Sequence, residues 1–245
     1  MKAFIHINNT TVGYKKGNNV LPILSRLQLT FNEGDFIGIV GQNGSGKSTL
    51  LKSICGLMPP LHGEILIDSK NLNSYSLNEL SKKISIVLTE KINGFNLKVE
   101  DVVAAGQMPY TNSFHQLKQE HLNVIENAIN TVGINKYKNY LLGELSDGLF
   151  QKTMIAKALA QQSSMMLLDE PTAFLDFASK HELFLLLKKF STQQHKCVMV
   201  SSHDLDLILN YCNKILIIHD GIAELLEVSK AKNNEAFKKI GGGYI

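Results

Sequence analysis

The sequence predicts an α/β fold: a mainly parallel sheet at the core, an N-terminal antiparallel β subdomain ahead of it, and a helical subdomain inserted within it. Three observations carry this prediction. Apolar runs of strand length alternate with helical periodicity from Phe36 onward, the pattern of a parallel sheet with crossover helices. The stretch Gly41 to Thr49, GQNGSGKST, stands between an apolar run and a helical one, the strand–loop–helix setting of a phosphate-cradling loop. Between the apolar runs ISIVL and MMLL lies a long segment of helical period, which therefore forms a lobe of its own.

Taken in order, Ala3 to Val12 alternates weakly and Leu27 to Phe31 is a second apolar run, with the turn signal KKGNN between them. Short strands with turn signals predict antiparallel pairing. Tyr14 falls in this turn region and admits two readings, a ring that stacks on a nucleobase or one that packs the loop. Phe36 to Val40 (FIGIV) is a strand, and a helix starts near Lys47 with Leu50, Leu51, Ile54 and Leu57 at helical spacing. A turn at PPLHG leads into a strand from Glu64 to Asp68; LNELSKK is a short helix, Ile84 to Leu88 a buried strand, and Thr89 to Asn96 a polar loop. From Val99 to about Thr131 the pattern is helical with breaks, and Leu122, Ile125, Ile129 and Val132 form a stripe that reads as core packing. Ser146 suits the N-cap of a helix from Asp147 that turns Met154, Ile155, Ala158 and Leu159 inward. Met165 to Pro171 is a strand ending in two carboxylates, Ser179 to Phe190 a helix, and CVMVSS a strand that leads to His203. A short helix (Leu205 to Tyr211) and the strand KILIIHDG follow.

With 245 residues, 44% of them hydrophobic, the chain can bury the core of one good-sized domain. It is read as a single domain, 1–245, with the helical subdomain at about 90–160. A net charge of +3 gives no strong field for nucleic acid. Cys55, Cys197 and Cys212 lack metal-type spacing and read as reduced core residues. The N-terminus has no apolar signal region, and no apolar run approaches the roughly 18 residues of a helical span. A role at a membrane would need the span from another chain.

The chemistry concentrates in a few residues. Gly41, Gly46, Lys47 and Ser48 occupy the fixed positions of G-x-x-x-x-G-K-[ST]. Glycines let the backbone curl so that successive N–H groups face a phosphate, and the following helix adds its positive end. Asn43, Gly44, Ser45 and Thr49 complete the loop. Lys47 can reach the β- and γ-phosphates, and the Ser48 hydroxyl can ligate Mg2+. Asp169 and Glu170 end an apolar strand, at the carboxyl edge where ligands of such sheets bind. Asp169 can hold the metal through water, and Glu170 can polarise an attacking water; the plainer alternative is two acids capping a strand into the turn at Pro171. His203 follows another apolar strand and is placed beside the same edge, against the γ-phosphate or Glu170.

Together these residues resemble the ATP-binding subunit of ABC transporters over essentially the whole chain, which implies a P-loop NTPase (RecA-like) core. GQNGSGKST resembles the Walker A loop, MMLLDEP Walker B, and LSDGL (Leu145 to Leu149) the signature LSGGQ. AFLD (Ala173 to Asp176) is similar to the D-loop and His203 to the switch histidine. The resemblance implies ATP and Mg2+, Glu170 as the catalytic glutamate, and Tyr14 as the adenine-stacking aromatic. The absence of an N-K-x-D motif also favours ATP over GTP. The resemblance further implies a head-to-tail homodimer, each ATP lying between one Walker A loop and the partner's signature, where Ser146 and Gly148 would meet it.

The chain departs from the family pattern at two places. Asp147 and Leu149 replace the signature's first glycine and its glutamine, so an acid stands near the expected γ-phosphate. Thr89 and Glu90 stand where a glutamine is expected after ISIVL, and Glu90 is the better charge match for the metal.

A single cassette with no fused membrane segment resembles bacterial importer subunits that sit at the cytoplasmic face of the inner membrane. The stretch VEDVVAAGQMPYTNSF (Val99 to Phe114), with Gln107 replacing an arginine, is similar to the branch that takes up ferric siderophores, haem or cobalamin. That implies integral membrane permease subunits and an extracytoplasmic substrate-binding protein as partners. The alternative is a soluble ABC-type ATPase acting on nucleic acid or ribosomes. Those usually carry two cassettes or a long coiled-coil insert, and neither is present; the basic run Lys230, Lys232, Lys238 and Lys239 reads as a solvated helix face. A third reading, a cassette that binds without hydrolysing, is prompted by Asp147 and Thr89 and opposed by Lys47, Asp169, Glu170 and His203.

Overall fold

In chain order the strands and helices are β1 (Ala3–Lys16), β2 (Asn19–Asn32), β3 (Phe36–Gly41), α1 (Lys47–Ile54), β4 (His62–Ile67), β5 (Lys70–Asn71), α2 (Leu77–Lys83) and β6 (Ile84–Val87). There follow α3 (Val99–Ala104), α4 (Gln119–Thr131), α5 (Asp147–Ala160), β7 (Met165–Leu168), α6 (Phe177–Gln194), β8 (Cys197–Ser201), α7 (Leu205–Tyr211), β9 (Lys214–His219), β10 (Ile222–Glu227), α8 (Val228–Ala231) and α9 (Glu235–Ile240). This computed structural model describes residues 3–88, 96–112 and 116–240.

The strands form two sheets. One is antiparallel, in the order β2-β1-β4-β5; the other runs β10-β9-β3-β8-β7-β6 and is parallel except where β10 joins β9. β3, β7 and β8 are buried at every position, as strands covered on both faces must be, hence their unbroken apolar runs. Between the sheets lies an apolar core that includes Ile5, Phe31, Ile39, Leu50 and Leu167. The opposite face of the parallel sheet packs Phe36 and Val198 against Phe184, Leu187 and Ile208 of α6 and α7. Burial pushes the Cys197 and Cys212 thiols far up, so both stay protonated core residues. Among the described residues no helix is long and apolar enough to cross a membrane.

The inserted helices have their own apolar cluster, Val99, Val103, Ile125, Ile129, Ala156 and Ala160. Side chains fasten this lobe at the end of α5, and Gln161 there carries the link on to α2 and β6. The Gln107 amide donates to the Ala160 carbonyl. The Tyr110 hydroxyl donates to the Gln161 carbonyl (3.0 Å), and Gln161 Nε2 donates to the carbonyls of Ser81 (2.6 Å) and Ile84 (2.9 Å). Gly106 allows the close approach, because a Cβ there would overlap the Lys157 carbonyl oxygen. Gly106→Ala is therefore expected to destabilise the fold by about 1–3 kcal/mol through overpacking, seen as a lower urea midpoint at unchanged slope.

One helix expectation and one core expectation fail. Leu57 is 62% exposed because α1 ends at Ile54: Gly56 takes φ 78° and turns the chain out of the helix. Leu122 is 45% exposed because the first turn of α4 directs His121 inward instead. The His121 ring accepts the Lys118 N–H at 3.0 Å and so closes the helix end.

Candidate active site

The phosphate-loop residues lie between β3 and α1. A Cβ on Gly41 would sit 2.6 Å from Ser45 Oγ and 2.7 Å from the Ile218 carbonyl of β9, so only glycine lets the loop curl against that strand. Gly46 takes φ 108°, a left-handed backbone that disfavours any side chain. Ser45 Oγ is buried and has no hydrogen-bond partner among the described residues. Lys47 is buried, and its ammonium donates to the carbonyls of Gly41 (2.9 Å) and Gln42 (3.2 Å). Burial pulls its pKa below the usual lysine value, while the Glu170 and Asp169 carboxylates push it back up. The two acids thus act on Lys47 across the sheet edge.

Asp169 and Glu170 follow β7. Asp169 is buried, and its N–H donates to the Val87 carbonyl at 2.8 Å, which continues the β6 ladder. Its Oδ1 accepts from Ser201 Oγ at 2.7 Å, and Ser201 Oγ accepts the Glu170 N–H at 2.8 Å. One hydroxyl at the end of β8 therefore fixes both acidic residues. Glu170 takes φ 46°, a sparsely populated conformation for a residue with a side chain. Its Oε1 lies 2.9 Å from His203 Nε2.

Ser201 was not among the sequence candidates. Its signal is the β7–β8 register, in which Leu168 pairs with Val200, so the next positions along are Asp169 and Ser201.

The other predicted residues are placed as follows. Asn43, Gly44 and Ser48 are exposed along the loop and the start of α1. Thr49 is buried, and its Oγ1 lies 3.1 Å from the half-exposed Tyr14 hydroxyl. Ser146 caps α5, accepting the Leu149 N–H at 3.4 Å. Gly148 lies close under the D-loop segment, where a Cβ would sit 3.1 Å from the Phe174 carbonyl. Ser146, Asp147 and Gly148 line a groove of about 610 Å³ with Phe174 and Leu175; among its described lining residues none belongs to the phosphate loop. The groove is therefore separate from the phosphate loop. Thr89, Glu90 and Phe114 lie outside the described residues.

These residues fit a nucleoside triphosphate with a divalent cation. The glycine cradle, the buried ammonium and the unpartnered Ser45 hydroxyl all suit phosphate oxygens. Ser48 and Asp169 supply the hard oxygen donors that Mg2+ takes. A carboxylate in contact with a histidine beside that loop can orient a water and accept its proton.

A family model described as ABC transporter matches residues 24–173. An uncharacterised ABC transporter ATP-binding protein of Methanocaldococcus jannaschii is 38% identical over 210 residues, which cover 86% of this chain and 71% of that protein. The ferric enterobactin transport ATP-binding protein FepC of Escherichia coli is 29% identical over 211 residues, 86% of this chain and 76% of its own. The solved dimer of an ATP-binding cassette in a post-hydrolysis state, bound to ADP and Pi, superposes with a TM-score of 0.80 at 28% identity, covering 91% of this chain and 98% of that one.

Proposed function

This chain belongs to the ABC transporter family, and from that premise we propose that it is the ATP-hydrolysing subunit of an importer for a ferric siderophore, haem or cobalamin, working through a separate membrane permease. The observation that carries the reading is the convergence of Lys47, Asp169, Glu170 and His203 at the ends of β3, β7 and β8, with Glu170 2.9 Å from His203. The likeness to FepC supports the iron-complex branch.

Each residue then has a role. The loop amides and Lys47 hold the phosphates. Ser48 and Asp169 would hold Mg2+, which when bound neutralises charge on the β- and γ-oxygens. Glu170 accepts the proton of the attacking water, and His203 keeps that carboxylate aimed and contacts the γ-phosphate. Glu90 or Thr89 takes the place of the family glutamine. Residues 1–245 act as one cassette, with the helical subdomain at about 90–160 receiving the permease at the cytoplasmic face of the membrane. An extracytoplasmic binding protein would deliver the cargo.

Two copies close head to tail, Ser146 and Gly148 of each covering the other's nucleotide. The separation of the Ser146–Gly148 groove from the phosphate loop and the dimeric form of the related cassette support this arrangement. Closure shifts the permease equilibrium only as far as ATP favours the closed dimer.

Ser201→Ala should remove the shared partner of Asp169 and Glu170. Orphaning the buried Asp169 oxygen and the part-buried Glu170 N–H is expected to cost about 1–3 kcal/mol of stability. Loosening the two acids should lower turnover by about tenfold or more. Thermal unfolding and steady-state ATP hydrolysis test the two effects separately.

The importer reading is tested by retaining tagged protein from detergent-solubilised membranes and identifying its partners by mass spectrometry. A polytopic membrane protein is the expected partner. Recovery of ribosomal or nucleic-acid-bound proteins alone would overturn the transport role and leave the ATPase assignment standing.

A further inference from the structure

The β1–β2 hairpin is fastened to the phosphate loop from the side. A Cβ on Gly46 would sit 2.7 Å from Ile23 Cγ2 and 3.2 Å from Leu24 Cγ, so β2 rests directly on the loop's last turn. The Ser25 N–H donates to the Gly221 carbonyl at 2.8 Å and ties the same strand to the β9–β10 turn. Nearer the tip of the hairpin the Tyr14 hydroxyl meets Thr49 Oγ1 at 3.1 Å. Thr49 is buried in the first turn of α1, two residues beyond Lys47.

Tyr14 pairs across the hairpin with Leu21. Paired residues of an antiparallel ribbon share a face, and both side chains stay open, 49% and 59% exposed. Gly13 makes the close pairing possible, since a Cβ there would overlap the Leu21 carbonyl oxygen. An apolar shelf therefore stands beside the phosphate loop, and its tyrosine is anchored by a hydroxyl on the helix that follows that loop. A half-exposed tyrosine without such an anchor samples several rotamers, and ordering it on binding costs affinity.

We infer that Thr49 is a positioning residue for base recognition. Its hydroxyl, through the Tyr14 phenol, holds the ring ready as the platform on which the base stacks, and Leu21 widens that platform. The inference rests on the reading of Tyr14 as the base-stacking residue. It makes selection for the base depend on a residue of the phosphate-loop helix that never touches the base.

The test compares, by calorimetry on the full chain with Mg2+, the affinity for ATP with that for inorganic tripolyphosphate, which has no base. The ratio isolates the base contribution and discounts any disturbance of the phosphate loop. Tyr14→Phe keeps the ring and removes the hydroxyl; Thr49→Val keeps the shape and removes the other partner. Each is expected to lower the ratio about three- to tenfold, the size of one lost hydrogen bond and its ordering. The double variant should fall no further than either single, and Thr49→Ser should restore the ratio. Tyr14→Phe with the wild-type ratio, or losses that multiply in the double variant, would overturn the inference. Tyr14→Ala with an unchanged ratio would overturn the stacking reading beneath it. Wild-type protein that binds neither ligand would overturn the phosphate-site assignment itself.

Discussion

Glu170→Gln is expected to reduce ATP turnover by about 10²–10⁴-fold, the range of a lost general base, while nucleotide affinity stays near wild type. The substitution is close to isosteric. An amide cannot take the water's proton, but it can keep the contact that Oε1 makes with His203 Nε2 at 2.9 Å. The backbone at residue 170 remains held by Ser201 at 2.8 Å, so the unusual φ of 46° survives. The loop keeps its shape, and Lys47 loses the upward push of the Glu170 charge on its pKa but keeps that of Asp169. Trapped ATP should then hold two copies together, and sedimentation in saturating ATP and Mg2+ should show a stable dimer. A strictly monomeric variant would sink the head-to-tail arrangement, and near-normal hydrolysis would remove Glu170 from the role of base.

Lys47→Ala should have a comparable effect at the binding step. A charge-assisted hydrogen bond is worth about 1.5–3 kcal/mol, and Lys47 would make such bonds to two phosphates. The loss is expected to be about 10²-fold or more in ATP affinity, read by calorimetry. Folding stability should change much less. The variant relieves the burial that lowers the lysine pKa, while the Gly41 and Gln42 carbonyls lose their donor; these effects oppose each other. A urea midpoint close to wild type with ATP binding lost is the expected pair of results. Unchanged affinity would show that the ammonium does not meet the phosphates.

What could be read from the sequence was local or edge-defined. The phosphate loop is contiguous, and its glycines mark the places where the folded backbone leaves no room for a side chain. Asp169, Glu170 and His203 follow apolar runs, and parallel strands bring their ends to one edge whatever the strand order. Ser201 was missed because its importance comes from register: it is the neighbour of Asp169 only once β7 and β8 are paired. Leu57 and Leu122 were misplaced because helical spacing does not register where a helix stops or which residue closes its first turn. The residue alone left Tyr14 between two readings, and only the family resemblance chose the stacking one, for a physical reason. Its hydroxyl contacts Thr49 while much of its ring remains open, so packing and availability coexist in one side chain.

The bonds around Gln161 give α5 the character of a lever. One end is pinned, with Gln161 holding Ser81 and Ile84 beside the sheet; the other end carries Ser146 and Gly148. At 1.5 Å per residue the arm is about 21 Å long. A tilt of about 10° at the pin would therefore swing the far end by about 4 Å, more than the length of a hydrogen bond. A push on the lobe too small to disturb its packing would thus be magnified at the groove that Ser146 and Gly148 line.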